Sequence, residues 1–470
     1  MVRTAQTNSK LLTLEICGQD RCVPLLDGTL VRYVNLDNAA STPAFRYVNA
    51  KVQEFLEWYS SVHRGSGFKS LLSTHVVEDS RRRVADFVGA DLNQDVVIFV
   101  KNTTEAINKL ANRLDYGSDG VVLTTVMEHH SNDLPWRAKA TVDHVEVLEG
   151  GALDIEDLER KIDHYRGRLR LVAVTGASNV TGIMPPIHAI AERAHAAGAL
   201  VFVDAAQLAP HRAIDMHPSD PAQHIDFLAL SGHKMYAPFG TGALIGPKDV
   251  FARGAPDYSG GGTIEVVTLD EVHWAPPPER DEAGSPNVVG IMALAASTHV
   301  LEGVGMESIA EYERDLTGYA LRRLKELDGI QVFGPSEPED VNDRLGVIAF
   351  QVIGIPHAKV AAMLSFEAGI GVRNGCFCAH PYVLRLLGVP PEDVNRYKQA
   401  ILAGDRSEMP GMVRASFGAY NTRDDVDTLI QSLHYIIREE STIEYDLNRG
   451  SGEYWPRDLL PNPFAQFFEF

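Results

Sequence analysis

Cysteine is scarce in this chain, with four in 470 residues: Cys17, Cys22, Cys376 and Cys378. That count excludes the disulfide framework of a small secreted domain, and the four are read as reduced thiols. Their spacings, C-x4-C and C-x-C, lack the C-x2-C knuckle of a thiolate zinc site, so no metal is expected. Long apolar runs are missing too. No stretch nears the roughly 20 residues of a spanning helix, and the polar start MVRTAQTNSK has no signal-peptide core. Positive charge is in deficit, 43 Lys plus Arg against 63 Asp plus Glu, for a net charge of −20. Such a surface repels phosphate backbones and anionic headgroups, so neither nucleic acid nor membrane is an expected partner. The expected location is cytoplasmic. With no internal repeat and no low-complexity tract, solenoid and fibrous folds are excluded as well.

What is present is the composition of a folded protein, 45% hydrophobic and 23% charged. Short apolar runs alternate with amphipathic stretches, the pattern of a mostly parallel sheet covered by helices, so the fold class is α/β. The clearest unit spans Leu169 to Asp204. LRLVAVT has strand length and β-branching, ASNVTG is turn chemistry, IHAIAERAHAAG repeats apolar residues at helical spacing, and ALVFVD is a second buried strand. Further strands are expected at 96–100, 120–126, 144–148, 226–231 and 242–246. After about Asn287 the pattern changes to a long helix near Ser308–Leu327, an alternating segment VIAFQVIG, and a helix at HAKVAAMLSFEAG. The expected organisation is a large domain over 36–295 and a smaller α+β domain from 1–35 with 296–440. An aromatic tail extension follows over 441–470.

The chemistry gathers at the ends of strands, where open α/β sheets place ligands. In SGHKMYAPFGTG, Lys234 follows a strand directly, with Ser231 and His233 as donors beside it. A lysine is ordinarily solvated. Held at a sheet edge, its amine could instead form a Schiff base with an aldehyde cofactor such as pyridoxal 5′-phosphate. That cofactor needs a carboxylate against its pyridine nitrogen, and Asp204 ends the strand of the βαβ unit, although a strand-end aspartate is also a common helix cap. Gln207 is placed to donate to the phenolic oxygen. His129, in EHHSN, follows another strand and could lie on the ring. Thr103 and Thr104 open a helix and could bind phosphate with their hydroxyls and backbone N–H groups, or be an ordinary helix start.

These segments occur in a telling order. HRGSG, NTTEAIN, MEHHSNDLPW, GASNVTG, VFVDAAQLAPH, LSGHKMYAPFGTG, SGGGTI, EAGSPN, GVRNGCFCAHPY and VRASFGAYNT together resemble the cysteine desulfurase and selenocysteine lyase family. The resemblance covers about residues 33 to 438. It implies the fold of class V, fold-type I pyridoxal phosphate enzymes and a homodimer with shared active sites. It also implies Lys234 as the Schiff-base lysine, Asp204 on the pyridine nitrogen, His129 on the ring, and Thr104, Ser231 and His233 at the phosphate. Ser285 matches a position that reaches the phosphate from the neighbouring subunit. Asn179 and Arg414 match the pair that holds the substrate carboxylate, with Arg373 helping.

In R-x-G-x-x-C of this family the nucleophile is the last residue, here Cys378. The GCFC phrase is similar to molybdenum cofactor sulfurases, relatives with the same persulfide chemistry. The implied reaction removes sulfur from L-cysteine or an analogue, giving alanine and a persulfide on Cys378 that passes to an acceptor protein or small molecule. An aminotransferase, epimerase or other lyase on the same scaffold shares every cofactor residue, and a non-catalytic binding protein is the reading from another class. The chain departs from the family in the 36-residue separation of Cys378 and Arg414. The insertion, about 385–412, is expected to form an added helix near the active-site mouth, and the tail is expected to dock on the body or on a partner subunit.

Overall fold

The structure, a computed structural model, describes residues 14–63, 65–459 and 464–469. Arg64 of the HRGSG segment, the first 13 residues and part of the aromatic tail lie outside this set. A seven-stranded sheet forms the body. Its strands are β1 (Asp95–Val100), β2 (Val121–Thr125), β3 (Thr141–Val145), β4 (Leu169–Thr175), β5 (Leu200–Asp204), β6 (Phe227–Ser231) and β7 (Gly242–Pro247), in the spatial order β1-β7-β6-β5-β4-β2-β3. All neighbours run parallel except β7, which is antiparallel to both β1 and β6. Every residue of β1, β2 and β6 is buried, which is why these strands read as continuous apolar runs. Each fully buried aliphatic side chain there contributes about 1.5–3 kcal/mol.

The expected βαβ unit is present, with helix α1 (Thr103–Arg113) packed on the sheet upstream of it and α2 (Ile187–Ala196) as its crossover. Gly198 turns the chain out of α2 at φ +76°, a conformation that Cβ-bearing residues disfavour. The run expected at 144–148 is shifted, because parallel pairing with β2 places β3 at Thr141–Val145.

A four-stranded antiparallel sheet follows: β8 (Ile330–Phe333), β9 (Val347–Val352), β10 (Arg373–Gly375) and β11 (Met412–Ser416), ordered β8-β9-β11-β10. Helices α3 (Val288–Val304) and α4 (Met306–Lys325) lead into it, and α5 (His357–Ala368) and α7 (Arg423–Ile437) pack on it. Val34 and Leu36 are buried in that same core. Among the described residues no single helix is long and apolar enough to cross a membrane.

The insertion contains α6 (Pro391–Leu402), none of whose residues is fully buried. The tail forms a hairpin, Tyr445–Asn448 with Glu453–Pro456. It docks on α5, where the rings of Trp455 and Phe366 lie 5.8 Å apart and the Tyr445 hydroxyl donates to Glu367 at 2.8 Å. It also grips the end of the insertion through an Arg449–Asp405 ion pair at 2.7 Å. Docking belongs to this hairpin, whereas Phe464, Phe467 and Phe468 are exposed.

Candidate active site

A cavity of about 430 Å³ opens at the carboxyl ends of the parallel strands, between the two sheets. It brings together Thr103 and Thr104 from the start of α1, His129 beyond β2, Asn179 beyond β4 and Asp204 with Gln207 at the end of β5. Ser231, His233 and Lys234 enter from the end of β6, Arg373 and Cys378 from the β10 loop, and Arg414 from β11. Of the predicted site residues, Ser285 alone lies elsewhere. It is exposed and lines a second cavity with Gly240 and Gly261.

The end of the cavity at α1 is built from hydroxyls. Thr103 donates its backbone N–H to Ser231 Oγ at 2.8 Å, and the two hydroxyl oxygens also lie 2.8 Å apart. Thr104 Oγ1 meets Ser131 Oγ at 2.7 Å. Ser131, inside the EHHSN segment but not singled out there, also donates its backbone N–H to His129 Nδ1 at 3.1 Å. That contact makes Nδ1 an acceptor and leaves the ring proton on Nε2. Burial, with help from the Lys234 charge, pushes the His129 pKa down to about 3, so the ring is neutral. His233 is lowered to about 4 for the same two reasons.

The middle of the cavity holds a lysine and a carboxyl with few hydrogen-bond partners among the described residues. Among the described residues no side chain hydrogen-bonds the Lys234 amine. Burial brings its pKa down to about 8, against the opposing pull of Asp204. Asp204 accepts one hydrogen bond, from the Ala206 N–H at 3.0 Å, and burial raises its pKa. Behind it Glu128, also missed in the sequence, accepts from Thr125 Oγ1 at 2.7 Å, Asn132 Nδ2 at 2.7 Å and the Thr175 N–H at 3.0 Å. Burial nevertheless lifts it to about 8. Gln207 donates to the Ala39 carbonyl at 2.7 Å, while its Oε1 is buried with no partner.

These features fit pyridoxal phosphate. The pocket offers a poised amine, a buried carboxyl for a cationic ring nitrogen and a hydroxyl-lined helix start.

The two cysteines differ sharply. Cys376 is buried, donates to the Pro410 carbonyl at 3.1 Å, and is pushed by burial up to about 12. Cys378 is exposed at the cavity. Phe377 and Cys378 sit side by side in the left-handed region, at φ +50° and +57°. Each such residue costs roughly 1–2 kcal/mol, so other contacts must hold the turn. Asn179 donates its amide to the Phe377 carbonyl at 2.7 Å, the His130 N–H donates to the Cys378 carbonyl at 2.8 Å, and the Arg414 guanidinium lies 5.0 Å over the Phe377 ring. His130 Nε2 also accepts from the His380 N–H at 3.3 Å and meets His380 Nδ1 at 3.0 Å. The Asn179 amide thus braces the thiol loop.

Arg414 donates to the Asn179 carbonyl and to Asp37 Oδ1, each at 2.9 Å, and its Nε is buried without a partner. Arg373 reaches the other Asp37 oxygen at 3.4 Å. Asp37, which sequence reasoning did not single out, therefore bridges both arginines.

The match to the aminotransferase class-V family runs over residues 34–429. The chain belongs to that family. Within it, the chain is 37% identical to a cysteine desulfurase of Cronobacter sakazakii over 86% of its own length and 93% of that protein's. It is 33% identical to a probable cysteine desulfurase of Streptomyces coelicolor, over 91% and 97% of the two chains. The apo cysteine desulfurase of Thermococcus onnurineus superposes with a TM-score of 0.75 at 32% identity, covering 87% of this chain and 95% of that one. An S-sulfonic acid form of an Escherichia coli cysteine desulfurase gives 0.72 at 28% identity, with the same coverage. Class-V relatives of this kind are pyridoxal phosphate enzymes.

Proposed function

We propose that this protein is a pyridoxal phosphate-dependent cysteine desulfurase that moves sulfur from L-cysteine onto Cys378 and releases alanine. The observation that carries the reading is an exposed thiol on a strained, braced loop, in the same cavity as a half-buried lysine whose amine no described side chain hydrogen-bonds. When bound, pyridoxal phosphate would store the electron pair released at the substrate α-carbon. Lys234 would hold the cofactor and, as a free amine with a lowered pKa, carry the α-proton. Asp204 would face the pyridine nitrogen and His129, neutral, the ring. The hydroxyls of Thr103, Thr104 and Ser231, with His233, would take the phosphate.

Arg414 would grip the substrate carboxylate with Arg373 beside it, in exchange for Asp37, since a guanidinium fork suits a carboxylate. Cys378 would then attack the substrate sulfur, forming an S–S bond as the C–S bond breaks, and pass that sulfur to an acceptor. Ser285 would serve a partner subunit's phosphate. Self-association is supported by the hairpin Ile264–Val267 with Val272–Trp274, whose Val266, Val267, Leu269 and Val272 are exposed. The four free thiols suit a reducing, cytoplasmic setting.

The test is Cys378→Ala. The variant should keep the visible absorbance of bound cofactor and lose sulfide release from L-cysteine under reducing conditions. Release at the wild-type rate would overturn the assignment, and pyruvate formation instead of alanine would favour an aminotransferase or lyase.

A further inference from the structure

At the opposite end of β6 from Lys234 lies a second cluster of polar chemistry that the reaction does not use. His195 at the end of α2, His224 in the loop before β6, and Asp226 just before that strand hold one ligand atom each within 4.8 Å of one another. Their proton bookkeeping is unusual. His195 Nδ1 lies 2.8 Å from the Ala222 carbonyl and His224 Nδ1 lies 2.7 Å from the Pro221 carbonyl. A carbonyl oxygen only accepts, so both Nδ1 atoms carry the hydrogen and both Nε2 atoms carry the lone pair of the neutral ring. Yet His195 Nε2 faces Asp226 Oδ2 at 2.9 Å and His224 Nε2 faces Asp226 Oδ1 at 3.1 Å.

Acceptors therefore face acceptors twice, and each contact needs a cation between its two atoms. Two protons would make two imidazolium rings stacked with centroids 4.1 Å apart, which is repulsive. One divalent ion satisfies both contacts at once. Anchoring Nδ1–H on a backbone carbonyl is also how proteins orient a ligating histidine.

We infer that His195 Nε2, His224 Nε2 and the Asp226 carboxylate form a binding site for a borderline divalent cation of the zinc class, remote from the cysteine chemistry. Two imidazoles and a carboxylate are a zinc donor set, with the fourth position left to water. With bonds of about 2.0–2.2 Å, a tetrahedral ion would hold its ligand atoms roughly 3.4 Å apart, closing the widest separation in the cluster, opening the His–Asp contacts slightly and tilting the rings out of their stack. Asp226 Oδ2 also accepts the Val201 N–H at 2.8 Å. The site thereby clamps the starts of β5 and β6, the two strands whose far ends carry Asp204 and Lys234.

A proton is the competitor. Metal binding should therefore release a proton and tighten as pH rises.

The experiment uses the tag-free holoenzyme, stripped with a chelator and titrated calorimetrically with Zn2+ in buffers of different ionisation heat. A parallel titration follows Co2+ by visible absorbance. The expected result is one ion per chain, proton release, a raised melting temperature, and a cobalt spectrum without a thiolate charge-transfer band. His224→Gln should weaken binding by about 10–100-fold, and the His195→Gln, His224→Gln double variant should abolish it while keeping activity on L-cysteine. No saturable binding slightly above neutral pH, a thiolate band, or unchanged affinity in the double variant would overturn the proposal.

Discussion

Two groups of buried charge within this chain are handled in opposite ways. Glu313 on α4 is buried between His211 and Arg212. Its carboxylate accepts from His211 Nδ1 and from Arg212 Nη1 at 2.8 Å, and Arg212 also donates to the Arg344 carbonyl at 2.9 Å. Burial alone would raise the Glu313 pKa, but His211 and Arg212 hold it below the usual carboxylate range. In the cavity burial wins, lowering Lys234 to about 8 and raising the Asp204 carboxyl above its usual range. Charge that serves the fold is neutralised where it stands, whereas charge in the cavity is left for a ligand to complete.

The sharpest way to break that contrast is a pair of substitutions read on two scales. Lys234→Ala should lower kcat by about 10²–10⁴-fold, as loss of a positioned proton carrier does, with no loss of denaturant stability. Glu313→Ala should do the reverse, costing about 3–5 kcal/mol because Arg212 loses its buried partner, with kcat per folded molecule preserved. Denaturant melts and steady-state rates on both variants separate the two outcomes. A large stability loss in the lysine variant would erase the distinction.

Next in size is a pH effect on the cofactor-free protein. Because the folded Lys234 pKa is lowered from 10.5 to about 8, its contribution to stability is present above about 10.5 and lost as pH falls through about 8. Wild type should thus gain stability relative to Lys234→Met as pH climbs across that window, measured by urea unfolding. Parallel curves for the two proteins would show the amine to be ordinary.

Glu128 gives an effect of comparable size and opposite sign. Its folded pKa is raised from 4.5 to about 8, so its contribution is present below about 4.5 and lost as pH rises through about 8. Glu128→Gln should remove that loss, and its stability should gain on wild type across the same range. At neutral pH its activity should stay within about tenfold, because the buried acid is already mostly protonated. The smallest expected effect is that of Cys376→Ala. Replacing a buried thiol that donates to one carbonyl should cost roughly 1 kcal/mol, with sulfur transfer intact.

Much of the site was legible because its residues stand at the ends of runs that only buried parallel strands produce. Asp204 closes ALVFVD, Lys234 follows DFLALS, and β4 occupies Leu169–Thr175, the span of LRLVAVT. What escaped depends on chain crossings that spacing does not encode. Asp37 meets Arg414 across 377 positions. Glu128 sits inside a segment noted for its histidines, and its protonation follows from burial by the folded sheet. Ser131 becomes part of the phosphate end only when β2 and α1 lie side by side. The order of merit between Cys376 and Cys378, which rested on the family pattern, acquires its physical reason in the opposite burial of two thiols two residues apart.

The most direct test of the sulfur-transfer account is mass spectrometry of the peptide spanning Cys376 to Cys378 after brief incubation of the holoenzyme with L-cysteine. The account predicts a mass gain of one sulfur atom, localised by fragmentation to Cys378. A gain on Cys376, or an unmodified peptide while alanine accumulates, would contradict it.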